Sequence, residues 1–278
     1  MGNSASITAA RAGVVSPEQR AEGRRAATMA GLRKVLLPAG TAGAALLIWE
    51  VTVRVLQIPP VLLPAPSAIW AKLDQLFLPL ILKHSIPTIT ESLIAFVIST
   101  VIGIAIAGLL SSSRLLREAL YPNVVFFQLI PKIALAPLFI VWLGIGAESR
   151  LSFAVFISFF PVVIATLAGL DNVDKSLLRL CRALRASEWQ VFRDVRLPFA
   201  LPYIFSGMKI ATTFSIIGVI VGEFITSQAG LGYLILFASA QAETELIFAA
   251  ITVLCVFGLV FYGAIALAEI YLRRRFGA

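Results

Sequence analysis

The sequence predicts an all-α fold: a polytopic membrane protein with about six transmembrane helices. Two observations carry that expectation and a third orients it. The 278 residues are 59% hydrophobic and only 14% charged, with a mean hydropathy of +0.93. A soluble domain of that length needs far more polar surface. The apolar residues also gather into runs of about twenty or more, the length a helix needs to cross a bilayer core. Candidate spans are 35–57, 86–110, 119–145, 149–170, 204–227 and 246–271.

An even number of spans puts both termini on one side, and basic residues decide which side. With a cytoplasmic N-terminus, segments 1–34, 111–118, 171–203 and 272–278 face the cytoplasm and hold seventeen Lys and Arg residues. The outer segments and outer span ends hold four: Arg54, Lys72, Lys83 and Arg150. Both termini are therefore expected inside. The net charge of +8 follows this distribution and implies membrane orientation, not nucleic acid.

Taken in order, residues 1–34 carry six basic residues, Arg11 to Lys34, with no apolar run before Leu36. They read as a flexible basic cytoplasmic tail ahead of a transmembrane domain, 35–278, that includes the loop 171–203. After the first span, LLPAPSAIWAKLDQLF (62–77) reads as a short interfacial helix, with Ser67 as its N-cap and Trp70 at headgroup depth. The third span holds Pro131 and Pro137, which predict a kink. Between the last two spans, SQAGLGYLILFASAQAETELIF is too short in its apolar part to cross and reads as a re-entrant helix on the outer face.

The long inside loop, 171–203, is the most informative segment. Asp174 is placed to cap a helix running from Lys175 to about Leu184, with Leu177, Leu180, Cys181 and Leu184 on one apolar stripe. SEWQ follows: Ser187 as N-cap with Gln190 three residues on is a capping box. Pro198 and Pro202 are expected to end this second helix early. Trp189 and Phe192 stand three apart and share its face. The loop spans about thirty residues where helix–helix connections usually take about two to eight, and an exposed Trp is a poor loop residue. A docking surface for a protein partner is the expectation.

Among the ionisable groups within the spans, four stand out: Glu50, Glu91, Lys132 and Glu223. Such groups face protein or a water-filled path, so Lys132 and Glu223 are expected either to pair with each other or to line a passage. His84 is expected at the outer interface, and Cys181 and Cys255 as small buried packing residues. There is no metal-ligand cluster and no nucleophile–base constellation.

The stretch CRALRASEWQVFRDVRLPFALPYIFSGMKIA (181–211) resembles the EAA loop of permease subunits of bacterial ABC importers. LLPAPSAIW (62–70), IPKIALAPLFIVWLGIG (130–146), FFPVVIATLAGLDNVD (159–174) and VGEFITSQAGLGYLI (221–235) are similar, in order and spacing, to the nitrate/sulfonate/taurine branch. The resemblance implies the type I ABC importer permease fold in a bacterial cytoplasmic (inner) membrane. It also implies a second permease copy, as a homodimer, ABC ATPase subunits, and a periplasmic or extracellular substrate-binding protein. The coupling contacts to the ATPase would then be Arg182, Ala183, Leu184, Arg185, Ala186, Ser187, Glu188, Trp189, Gln190 and Phe192. Lys132 and Glu223 would lie near a central pathway. The family's glycine falls on Arg185, which puts the turn between the helices in question. The chain has no Gly-Lys dipeptide, hence no phosphate loop; ATP is expected on the partner, with no cofactor and no enzymatic activity here. The implied cargo is nitrate, a sulfonate or a taurine-like solute. A thiamine pyrimidine precursor or similar heterocycle is the alternative. A stand-alone ion-driven carrier is a more remote reading, which leaves the long capped loop unexplained.

Overall fold

The structure is a computed structural model and describes residues 17–276. The expected flexible tail lies outside the described residues up to residue 16, and from Pro17 onward the chain is helical. Helix α1 is Pro17–Val55, with Leu36–Val55 long and apolar enough to cross a membrane. Residues up to Pro59, with Ala65–Ser67, form one compact unit, and the remainder forms a second.

Within the first unit, Glu50 gathers three donors. Arg54 Nε lies 2.5 Å from its Oε1, Ser67 Oγ donates at 2.8 Å and the Ser67 amide at 3.0 Å. Ser67 is therefore not an N-cap. Helix α2, Pro66–Leu76, already begins at the preceding proline, a residue suited to a first helical position because its missing N–H would have no partner there.

In the second unit, α2 does not stop as a separate interfacial helix. It passes through a π-turn, Phe77–Ile81, into α3, Leu82–Ser112, giving a single apolar stretch over Pro66–Ser112. Pro79 supplies no N–H, and the longer π loop, with the Leu82 amide reaching the Phe77 carbonyl, lets the helix continue around it.

Helix α4, Arg114–Leu129, is followed by a 3-10 turn, Lys132–Leu135, and α5, Ala136–Leu143. The two halves meet at 90°, a far sharper break than a kink. Ile130 supplies the reason: a residue before proline is pushed out of the helical region, and Ile130 is extended at φ −63°, ψ 136°. Gly144, at φ 83°, then closes α5.

Helices α6, Ala147–Asp171, α7, Lys175–Ala183, and α8, Glu188–Val191, lead into a π-turn at Phe192–Arg196. Then come α9, Leu197–Thr226, α10, Leu231–Ala240, and α11, Thr244–Phe276. Among the described residues, five stretches are long and apolar enough to cross a membrane, and the α4–α5 pair makes a sixth when counted as one broken span.

Pro198 does not end the second loop helix, as its position suggested. The Leu197 amide steps back to the Phe192 carbonyl, so Glu188–Thr226 runs as one 39-residue helical stretch. Pro198 sits in the first turn of α9, where its ring is tolerated.

The second unit is centred on α3, α6 and α9. In lipid, apolar surface gives helices little reason to associate, so close backbone approach and packing must do it. Helix α3 buries a stripe of small residues, Ser85, Thr88, Ser92, Ala95, Ser99, Gly103 and Ala107. At the α6–α9 crossing, a Cβ on Gly218 would sit 2.5 Å from the Ala154 Cα, so glycine sets the approach. Phe96, Val162, Ala211, Ile216 and Phe261 then form a core cluster against this seam.

Candidate coupling surface and buried charge sites

The loop 171–203 folds as two capped helices. Asp174 accepts the Ser176 amide at 2.8 Å and also the Ser176 hydroxyl. These two donors, the hydroxyl first, hold the Asp174 carboxyl below the usual aspartate range. At the other end of α7 the Ala186 amide reaches the Cys181 carbonyl at 3.0 Å, and Arg185 takes φ 54°. That is a left-handed C-terminal turn, the conformation a glycine adopts freely. Arg185 adopts it at a cost of about 1–2 kcal/mol.

Ser187 opens α8 with a complete capping box: its Oγ accepts the Gln190 amide at 3.2 Å, and Gln190 Oε1 accepts the Ser187 amide at 2.8 Å. Trp189 and Phe192 stack with ring centroids 5.8 Å apart. Trp189 is 66% exposed, and the stripe on α7 is exposed too, Leu180 at 55% and Leu184 at 73%. Beside the stacked rings lies a cleft of about 510 Å³, lined by Gly108, Ser111, Ser112, Glu188, Trp189, Phe192 and Arg196.

The charges within the spans sort into separate partnerships. Lys132 and Glu223 do not pair with each other. Lys132 Nζ donates to the Gln128 carbonyl at 2.8 Å and lies 5.1 Å from the Phe160 ring centre. It thus answers a carbonyl left unpaired where α4 breaks, at the helix end that favours a cation.

Glu223 is 1% exposed and belongs to a different arrangement. The first amides of α10 have no cap from their own N-terminal side chains. Instead the Gly230 amide donates to His84 Nδ1 at 3.2 Å, Leu231 to Thr88 Oγ1 at 2.8 Å, and Gly232 to Glu223 Oε2 at 2.7 Å. Thr88 in turn donates to Glu223 Oε1 at 2.6 Å. A carboxylate, a hydroxyl and an imidazole from α3 and α9 thus cap a helix of a third segment. The positive end of α10 meets a negative group, which accounts for a charged residue so deep in the chain. Gly230 has φ 111°, and a Cβ there would overlap the Glu223 carboxylate.

Two further partnerships bury charge; Glu91 and Arg150 were each named from the sequence, Lys209 and Glu269 were not. Glu91 and Arg150 form a bidentate pair at 2.5 and 3.0 Å, and Lys209 meets Glu269 at 2.5 Å. His84 is buried between helices, at 9% exposed, and stacks on Tyr233. Sequence reasoning missed Thr88; its spacing of four from His84 was the available signal, since i and i+4 share a helix face. Neither cysteine is buried: Cys181 is partly exposed and Cys255 exposed.

Comparison with known proteins agrees with this architecture. Residues 99–274 match the family described as "Binding-protein-dependent transport system inner membrane component". A probable ABC transporter permease protein of Haemophilus influenzae is 35% identical over 84% of this chain and 94% of its own length. The formylaminopyrimidine transport permease protein ThiX of Halalkalibacterium halodurans is 32% identical, over 81% of this chain and 89% of that protein. The taurine transport system permease protein TauC of Escherichia coli is 29% identical, over 81% and 84%. Among solved structures, a chain of the MetNI methionine ABC transporter in inward facing conformations superposes with a TM-score of 0.59 at 20% identity, covering 70% of this chain and 96% of that one. That likeness establishes the shared fold. An all-helical membrane domain with a long capped loop, matched along most of its length by transport permeases, belongs to the binding-protein-dependent transport system inner membrane component family: the chain is a permease subunit of an ABC importer, and not itself an enzyme.

Proposed function

We propose that the α7–α8 segment is the surface through which a separate ATPase subunit drives this permease, with Arg182 to Gln190 and Phe192 as the contact. The observation that carries this reading is an apolar surface with no partner within the described residues: Leu180, Leu184 and Trp189 exposed on two short helices that spend their polar groups on caps. Large apolar side chains held rigidly in an aqueous loop fit a cleft on another protein. In this reading the partner binds ATP, the permease pairs with a second copy of itself, and both termini face the cytoplasm across a bacterial inner membrane. A binding protein delivers the solute from outside. Trp189→Ala should abolish substrate-stimulated ATP hydrolysis in reconstituted vesicles while insertion and expression stay normal. Normal turnover by that variant overturns the assignment.

The cargo is read as a small anionic solute such as nitrate, a sulfonate or a taurine-like molecule. Lys132 supports this: its ammonium has three donors, of which one goes to the Gln128 carbonyl, leaving the rest for an anion passing the α4–α5 break. Lys132→Met should then cut transport severalfold with basal ATP hydrolysis unchanged, and unaltered transport removes Lys132 from the pathway. A heterocycle of the thiamine-precursor kind is the second reading, supported by the 32% identity to ThiX. Transport assays with taurine and formylaminopyrimidine as competing solutes separate the two. Glu223, closed within the cap of α10, is assigned to positioning that helix, not to lining the pathway.

A further inference from the structure

A second cleft, of about 230 Å³, opens where α3 ends and α4 begins, against the end of α6, the helix α7 and the π-turn before α9. Its polar lining is Arg114, Arg117, Arg196, Ser111, Ser113 and Asp171, and three leucines complete it. Three guanidinium groups thus face one carboxylate. Arg117 and Asp171 satisfy each other through two contacts, at 2.5 and 2.7 Å. Arg114 pairs with Glu118 at 2.7 Å along an exposed helix face, where screening leaves such pairs weak. Arg196 lies near enough to Asp171 to feel its charge but makes no direct ion pair with it. Its Nε is buried and has no hydrogen-bond partner among the described residues, a donor that is costly to leave unmet.

The position of the cleft along the helices says what meets it. Ser112 and Asp171 are the last residues of two stretches long and apolar enough to cross a membrane, so the arginines stand where apolar helix gives way to charge, the place a headgroup region would take. Leu109 and Leu115, just before and after the segment that lines it, are 54% and 77% exposed, apolar surface suited to acyl chains. Basic pockets between helices at this level are where lipid phosphates bind, and a guanidinium fork matches a phosphate's oxygens. We propose that the cleft holds the phosphodiester headgroup of an anionic phospholipid, with Arg196 as the principal ligand and Arg114 and the Ser113 hydroxyl assisting. Leu178 and Arg196 belong to the segment carrying the coupling surface, so the lipid braces that segment against α3 and α4. The binding chemistry does not depend on the orientation proposed above. The identity of the leaflet does.

The test uses the full-length chain purified in mild detergent and native mass spectrometry during titration with phosphatidylglycerol, phosphatidylcholine or inorganic phosphate. Wild type should retain one phosphatidylglycerol at concentrations where phosphatidylcholine is lost. Arg196→Gln should weaken that retention roughly fivefold, the effect of about one basic contact, and Arg196→Lys should keep most of it with the fold intact. Equal retention of the two lipids, or no loss in Arg196→Gln, overturns the site. Displacement of phosphatidylglycerol by millimolar phosphate assigns the cleft to the free anion and overturns the lipid. Labelling experiments that reverse the orientation move the leaflet and leave these outcomes unchanged.

Discussion

Glu223 shows how one residue is decided by partners far away in the chain. Its two oxygens take the Thr88 hydroxyl and the Gly232 amide, and removing them strands the buried Gly232 amide at about 1–3 kcal/mol and leaves Thr88 only its longer contact to the His84 carbonyl, at 3.3 Å. Glu223→Ala should therefore lower the melting temperature in detergent by at least roughly 5 °C. Glu223→Gln keeps an acceptor for Gly232 and should lose less than half as much. Equal losses from the two would mean that the second carboxylate oxygen or its charge, not volume or a single neutral acceptor, is what matters at this position. Arg185 poses the opposite case, a residue held at φ 54° against its own preference. Arg185→Gly relieves about 1–2 kcal/mol of left-handed strain but adds freedom to the unfolded chain worth about 0.5–1 kcal/mol. The melting temperature should stay within about 2 °C, with ATP coupling retained. Arg185→Pro cannot reach that φ, and the complex with the ATPase should fail to assemble. Coupling that survives Arg185→Pro would detach the left-handed turn from function.

At the scale of elements, what the sequence disclosed tracks how local the physics is. The caps of α7 and α8 depend on side chains two or three residues from the amides they bind, and both were legible. The cap of α10 depends on His84 and Thr88, which precede Gly230 and Leu231 by 146 and 143 residues. No pattern within the loop encodes it, so Glu223 looked like a lone charge. The prolines misled for a related reason. Pro131 ended a helix because Ile130 was free to extend, whereas Pro79 and Pro198 were absorbed by π-turns whose existence depends on tertiary packing on either side. A helix breaker thus fixes where hydrogen bonds are missing, not whether the axis stops. The capping box itself is testable: Ser187→Ala should cost about 1 kcal/mol locally and weaken ATPase association, while Ser187→Asp should preserve it. Identical association by all three proteins would show that α8 is ordered by its partner instead of by its cap.

For the whole molecule, the number of crossings and the basic bias were readable because both follow from composition along the chain. Which helices touch was not, since the α3–α6–α9 seam rests on small residues that carry no hydropathy signal. Orientation makes a direct prediction. A cysteine at Ser176, replacing a residue of the proposed inside loop, should react with membrane-impermeant thiol reagents only from the cytoplasmic face, measured in a background lacking Cys181 and Cys255. A cysteine at Gln228, an exposed residue in the turn before α10, should react only from the opposite face. Reaction of both from one side would overturn the topology.

The uninterrupted helix from Glu188 to Thr226 has a mechanical consequence. At about 1.5 Å per residue, its 39 residues extend roughly 58 Å, so Trp189 stands at one end of a lever whose other end carries Glu223 and the cap of α10. Pivoting near the crossing at Gly218, where the backbones are closest, the arm toward Trp189 is several times longer than the arm toward Glu223. A stroke of several ångströms at the coupling end then becomes about an ångström at the cap: travel is reduced and force is multiplied. An ångström is enough to turn a 2.7 Å hydrogen bond into none. Under the proposed coupling role of α7 and α8, an ATPase needs no rearranged pathway of side chains to loosen α10; it needs only to push on the long arm.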